Sequence, residues 1–267
     1  MMMTIEQLRL GSGKAVMLVA LAMVPVACGD DATGLGNSSP GISLSVSVPA
    51  DAPVAAINSG ISFDRVFVGG GSTLTLTRVA MVLRDVELEQ EFGECEDLPD
   101  VIDDDCQEFE TGPFLLELPM DETVQTVFAI SDVPLGTYDE LEFKVHKPED
   151  AVDGDTSFLT NNPDFVDVSI RVEGDFDGTP FVYETDLNAE QETLLSTPLV
   201  VTDGASVNVT FSVDVASWFR ALDGSLIDPV TANKGELNEG IVKDNIIASI
   251  DIFEDDDRDG DDDSIGS

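Results

Sequence analysis

Residues Thr73 to Leu88, TLTLTRVAMVLRDVEL, form the stretch that decides the fold. It is rich in residues that favour strands, and its first apolar residues recur at every second position. The apolar spacing then lengthens to three at two places, which turns the following side chains to the other face of a strand. We therefore predict one long strand with bulges or bends near Thr77-Arg78 and Arg84-Asp85. A helix over Arg78 to Glu89 is the competing interpretation.

The same alternation occurs elsewhere in the chain. In Ile42 to Val48 (ISLSVSV) aliphatic residues face one side and serines the other, as in a half-buried strand. Val166 to Val172 and Pro180 to Thr185 predict a hairpin across Glu173 to Gly178. Further strands are predicted at Ile61 to Val68, Phe114 to Leu118, Thr123 to Ile130, Thr137 to Lys147, Leu194 to Thr202 and Ser206 to Val213.

Two later segments favour short helices. Val215 to Leu222 carries Trp218 and Phe219, whose rings would close one end of the core. Ile241 to Phe253 has apolar residues at spacings of four and three, although a final strand is the alternative. Together these patterns predict a mostly-β fold: an antiparallel β-sandwich of roughly eight to ten strands with one or two short helices. The predicted domain covers residues 42–253.

The segment before the first strand has the features of an export signal. Arg9 and Lys14 precede the apolar run Ala15 to Val26, and small residues follow it. These are the marks of a secretory signal peptide, here residues 1–27. The apolar run is shorter than the roughly 20 residues that a membrane-spanning helix needs.

Cys28 directly follows this segment and suggests a lipid anchor. The residues before it resemble a lipobox, since Ala27 is small and Val26 is acceptable, although Pro25 departs from the pattern. The resemblance implies that Cys28 is acylated and holds the protein at a membrane. Simple cleavage near Ala27 is the alternative. Residues 28–41 are small and polar and predict a flexible tether. A lipid on Cys28 would place the domain in the cell envelope, facing the periplasm or exposed at the surface.

The net charge of −42 limits the possible partners. Such a field repels nucleic acid and anionic surfaces, so we exclude DNA and RNA as ligands. Mutual repulsion also destabilises a compact chain unless ions screen or neutralise it. A salt-rich habitat and the binding of Ca²⁺, a hard cation that prefers carboxylates, are the two explanations.

Cys95 and Cys106 are the two cysteines left if Cys28 carries lipid. In an oxidising compartment we expect them to form a disulfide, worth about 3 kcal/mol in the chain-entropy model. The loop that they close is strongly acidic and is a second candidate cation site. The alternative is that its carboxylates bind no ion and that exposure to solvent relieves their mutual repulsion. Its carboxylates are Glu94, Glu96, Asp97, Asp103, Asp104 and Asp105.

The C-terminal stretch DDDRDGDDD, from Asp255 to Asp263, is the first candidate metal site. Asp255, Asp257 and Asp259 alternate and are followed by Gly260, which resembles the D-x-D-x-D-G calcium loop of EF-hand, dockerin and thrombospondin-type repeats. The resemblance implies a Ca²⁺ ion held by these three residues and Asp263. The twelfth position is Gly266 instead of the usual glutamate, so a disordered acidic tail over residues 254–267 is the alternative.

Catalytic motifs are missing from the sequence. It contains no G-x-S-x-G, H-E-x-x-H or P-loop pattern. His146, the one histidine, alternates with Lys144 on what we predict to be the solvated face of a strand. The paired aspartates Asp153-Asp155 and Asp175-Asp177 are interpreted as turn formers. We therefore predict a non-catalytic protein, with a secreted polysaccharide hydrolase using an Asp/Glu pair as the alternative.

Three segments resemble a known family. Leu74 to Leu88, Leu115 to Pro119 (LLELP) and Asp132 to Phe143 (DVPLGTYDELEF) are similar to the uncharacterised β-domains of bacterial surface lipoproteins, the domain of unknown function 4382 group. The resemblance implies a lipid-anchored β-domain and assigns no site residue. The expected partners are the membrane, through Cys28, and a glycan or another envelope protein.

Overall fold

The computed structural model describes residues 41–49, 64–90, 111–204 and 206–263, apart from residues 122, 132, 151 and 153. The predicted signal peptide, Cys28, most of the tether and the loop with Cys95 and Cys106 lie outside the described residues. The same holds for the candidate ligands Glu94, Glu96, Asp97 and Asp103 to Asp105.

Strands dominate the described part of the chain, which contains eleven strands and three short α-helices. The helices are α1 (Asp155–Asn161), α2 (Val215–Trp218) and α3 (Glu239–Ala248). The strands are β1 (Gly41–Ser47), β2 (Arg65–Gly69), β3 (Ser72–Gln90), β4 (Phe114–Glu117), β5 (Gln125–Ser131), β6 (Gly136–Val145), β7 (Ile170–Phe176), β8 (Thr179–Thr185), β9 (Ala189–Val201), β10 (Ser206–Val213) and β11 (Ile250–Glu254).

Two sheets pack face to face, which confirms the predicted β-sandwich. The smaller sheet has the order β11-β10-β1-β5, and the larger has the order β8-β7-β3-β6-β9, with β2 and β4 also paired to β3. Phe143 of the larger sheet meets Phe211 of the smaller one edge to face, with ring centroids 5.0 Å apart. The pairing is antiparallel except between β1 and β10, which run parallel. The parallel pair was not predicted.

The strand β3 is the centre of the larger sheet. Its pairing with β7 shifts register between Leu76 and Arg78, and its pairing with β6 shifts between Arg84 and Glu87. Asp85, inside the second shift, has a φ of 51°. Both predicted irregularities are confirmed, and the helix considered for Arg78 to Glu89 is wrong, because the neighbouring strands take the backbone hydrogen bonds of this segment.

Side chains of β3 are buried on both faces of the sheet. Val79, Met81 and Leu83 belong to the main core, whereas Ala80 and Val82 belong to a second apolar cluster. That cluster is completed by residues of α1 and of the 3-10 turn Pro163–Phe165, namely Phe158, Leu159 and Phe165. No helix was predicted in this segment, so this cover of the sheet is a feature that the sequence did not reveal.

The last third of the chain closes the sandwich. Trp218 and Phe219 are fully buried, as predicted, and the Trp218 indole donates to the Ser249 hydroxyl at 2.7 Å. The segment from Ile241 to Phe253 contains both alternatives that we considered, since α3 ends at Ala248 and β11 begins at Ile250. Within the described ranges, every helix is too short or too polar to cross a membrane.

Candidate calcium site

The C-terminal acidic loop, residues 255–263, packs against the smaller sheet. Asp255 donates its N–H to the Asn208 carbonyl at 3.1 Å, and Asp263 returns to donate to the Glu254 carbonyl at 3.1 Å. The Asp256 carboxylate accepts from the Asn208 N–H at 3.0 Å. The structure therefore seats these nine residues on β10 and β11 instead of leaving them as an unstructured tail.

The turn inside the loop follows from its alternate aspartates and its glycine. The two carboxylate oxygens of Asp255 accept from the N–H groups of Asp259 (3.0 Å) and Gly260 (3.2 Å). Arg258 and Gly260 adopt positive φ angles of 58° and 89°. A side chain at position 260 would lie 3.2 Å from a Val124 methyl group, so glycine also fits the space.

Three of the four predicted calcium ligands come together. Asp255, Asp257 and Asp263 each present a carboxylate oxygen, and these oxygens lie within 4.8 Å of one another. Asp259, the fourth predicted ligand, is not part of this set. Its backbone N–H donates to Asp255 and Asp257, and its carboxylate accepts from the Asp261 N–H at 2.9 Å.

The electrostatics of the loop suit a cation. Desolvation and the negative charges of Asp259, Asp263 and Asp255 raise the pKa of Asp257 above its ordinary value. Burial and the charges of Asp256, Asp263 and Asp262 likewise raise the pKa of Glu254. Desolvation is the largest cause of both shifts and the neighbouring negative charges add to it, and a bound cation would offset both effects.

Asp255 is the most constrained member of the cluster. Its side chain is fully buried, and its carboxylate accepts from the Thr210 hydroxyl at 2.8 Å besides the two loop N–H groups. All three of these donors are uncharged. A buried charge with only neutral donors is costly, and hard divalent cations bind such oxygen ligands. The three carboxylates supply part of the six to eight ligands that Ca²⁺ takes, leaving room for water.

A second acidic cluster lies on the outer face of the larger sheet. Glu142, Glu190 and Glu192 project from β6 and β9, where Glu142 is paired with Glu192. Burial and the charges of Glu190 and Glu192 raise the pKa of Glu142. This cluster was not predicted, because it arises from the pairing of two strands that are distant in sequence.

His146 does not lie on a solvated face, which corrects the prediction. It is 6% exposed, and its Nε2 atom lies 2.9 Å from both carboxylate oxygens of the fully buried Asp155. Asp155 also accepts from the Glu149 N–H at 2.8 Å and lies 3.7 Å from the Arg84 guanidinium. The segment that contains α1 covers the end of β6, so His146 and Asp155 fasten this cover to the sheet. Asp155 is thus more than the turn former that we predicted.

Comparison with known proteins adds no relative. No family model matches the chain, and neither a curated protein nor a solved structure shows significant similarity to it.

Proposed function

We propose that this chain is an exported, lipid-anchored and non-catalytic protein of the cell envelope, whose acidic β-sandwich is stabilised by Ca²⁺ at the C-terminal acidic loop. The basic flank, short apolar run and Cys28 in the sequence support export and anchoring. The domain would serve a binding or structural role at the membrane.

One observation carries the calcium assignment. Asp255, Asp257 and Asp263 converge within 4.8 Å, although Asp255 is fully buried. Without a cation, folding must bring like charges together and desolvate one of them, and both effects oppose folding. With Ca²⁺ bound, the same carboxylates become ligands, and the binding energy adds to the stability of the folded state.

The assignment is tested by isothermal titration of the protein with Ca²⁺. We expect one binding site, and weaker binding of Mg²⁺ because that ion requires a tighter octahedral shell. Asp257→Asn removes an exposed ligand, and Asp255→Asn removes the buried one. Each should weaken binding by about tenfold or more, since a carboxylate ligand is replaced by an uncharged amide.

Asp244→Asn is the matched control, because Asp244 is an exposed residue of α3 and its loss changes the net charge equally. We expect its affinity for Ca²⁺ to stay close to that of the wild type. Equal affinities for Asp257→Asn, Asp255→Asn and the control would reject the site in favour of diffuse attraction of cations to an acidic surface.

A further inference from the structure

A buried polar network joins the C-terminal acidic loop to β1. Asn208 of β10 is its centre, since its side-chain oxygen accepts from the hydroxyls of Ser43 (2.7 Å) and Ser45 (2.8 Å). Its side-chain nitrogen donates to the Asp255 carbonyl at 2.8 Å and to the Thr210 hydroxyl at 3.1 Å. Buried networks of this kind transmit order because each member fixes the orientation of the next.

A second contact between loop and strand runs through Arg258. Its guanidinium donates to the Ser43 hydroxyl at 2.9 Å. Thr210, in turn, donates to the Asp255 carboxylate at 2.8 Å. The carboxylate that would hold the cation is therefore connected to β1 by three successive hydrogen bonds, through Thr210 and Asn208.

Ser47 of β1 is a third point of contact between this strand and the loop. It is only 7% exposed, and its hydroxyl has no hydrogen-bond partner among the described residues. Ser47 lies beside the loop, with its Cβ atom 3.9 Å and its hydroxyl oxygen 4.0 Å from the position that a side-chain carbon would take on Gly260. Buried polar groups in native proteins are rarely left unpaired, and a water molecule held by a cation would satisfy this one.

We propose that a cation bound in the C-terminal acidic loop clamps β1 onto the smaller sheet. This inference rests on the calcium site proposed above. The ion would fix the Asp255 side chain. Asp255 and Thr210 in turn hydrogen-bond to Asn208 and fix its orientation. Asn208 then holds β1 through the hydroxyls of Ser43 and Ser45. A water molecule on the ion adds a contact to the Ser47 hydroxyl.

The position of β1 gives the clamp a role. Only residues 29–40 separate Cys28 from β1, so tension on the proposed lipid anchor would act first on this strand. β1 lies between β10 and β5 in the smaller sheet. A cation would thus strengthen the point at which the domain is held to its anchor.

Hydrogen–deuterium exchange of the protein with Ca²⁺, against the same protein in chelator, tests the clamp. At a Ca²⁺ concentration about 100 times Kd, linkage permits protection to increase by up to about 100-fold. We expect the β1 amides to be protected by at least about tenfold, and those of the β7–β8 hairpin by less than about twofold.

Ser47→Ala separates the clamp from general stabilisation. In chelator we expect this variant to unfold at the same denaturant concentration as the wild type, because the hydroxyl has no partner to lose. With Ca²⁺ present, its affinity should fall by about threefold and the protection of β1 should decrease. Ser206→Ala is the control, since Ser206 is an exposed serine of the neighbouring strand.

The outcomes distinguish the two proposals. Ca²⁺ binding with unchanged exchange in β1, or with equal protection of β1 and the β7–β8 hairpin, would overturn the clamp and leave the calcium site standing. Absence of Ca²⁺ binding in the titration would overturn both. An affinity for Ca²⁺ that is unchanged in Ser47→Ala would rule out the water-mediated contact between the ion and β1.

Discussion

Asp186 lies between two lysines and shows how a single residue makes stability depend on pH. Lys234 and Lys243 each contact a different oxygen of its carboxylate at 2.7 Å. These contacts lower the pKa of Asp186 from 3.8 to about 2. The unfolded chain therefore binds a proton at a higher pH than the folded protein. The resulting stability is present above the unfolded pKa and is lost as pH falls towards about 2.

We predict that Asp186→Asn lowers the free energy of unfolding near neutral pH by at most about 2 kcal/mol, because Lys234 is well exposed and solvent screens part of the attraction. The difference from the wild type should shrink as pH falls from about 4 to about 2. Urea unfolding at a series of pH values measures it, with Asp244→Asn as the control. A difference that is constant over this range would show that the ion pairs are not its cause.

At the same scale, sequence predicted the acidic cluster of the C-terminal loop only in part. The alternation of Asp255 and Asp257 and the glycine at position 260 were readable, because they follow from local turn chemistry. The backbone hydrogen bonds from Asp259 to Asp255 and Asp257 could not be predicted from sequence, since they depend on the direction of one N–H group inside the turn. The contact that buries His146 is made by a helix with only two apolar residues, Phe158 and Leu159, which give no periodic signal in the sequence.

Among the elements, the bulged pair β3–β7 depends on one glycine. Gly174 pairs with Leu76 next to the register shift. A side-chain carbon on Gly174 would lie only 2.0 Å from the Thr75 carbonyl oxygen, and 3.1 Å from the Phe181 ring. Both neighbours are constrained, one as backbone of a central strand and the other as a buried aromatic ring.

We predict that Gly174→Ala lowers the free energy of unfolding by about 3 kcal/mol, because the two strands must separate to admit the methyl group. Gly240→Ala is the control. Gly240 lies in the first turn of α3 with nothing within 4 Å of the added carbon, and alanine should stabilise the protein there by about 0.5 kcal/mol. Thermal unfolding of both variants provides the measurement. A small effect at Gly174 would mean that β3 and β7 pair more loosely than described.

Elements were predictable where the pattern is local. The three-residue steps in β3 located both of its irregularities, because each step changes the face on which a side chain lies. Which strands pair with each other was harder to predict from the sequence. Nothing near Ile42 to Val48 indicates that β1 runs parallel to β10, since that choice is made by residues more than 150 positions away.

For the whole molecule, the fold class followed from the repeated alternation of apolar and polar residues, which only a layered sheet structure can bury. The proposed cellular location instead depends on residues 1–28, which lie outside the described part. It therefore requires a test of its own.

We predict that the protein isolated from its native cells starts at Cys28 and carries lipid, and that Cys28→Ser moves it from the membrane fraction to the soluble fraction. Intact-mass measurement and cell fractionation provide the readouts. Asp244→Asn, with an unchanged cysteine, should remain in the membrane fraction. A wild-type protein that keeps Met1 and is found in the cytosol would contradict the proposal.

The parallel pairing of β1 with β10 has a consequence for synthesis. Residue 41 pairs with residue 206, so the first strand has no parallel neighbour until most of the domain has left the ribosome. Pairings across such long separations form slowly. The export that we propose would require the chain to stay unfolded while it passes through a narrow translocation channel. The late pairing of β1 with β10 would then delay closure of the smaller sheet until the crossing is nearly complete.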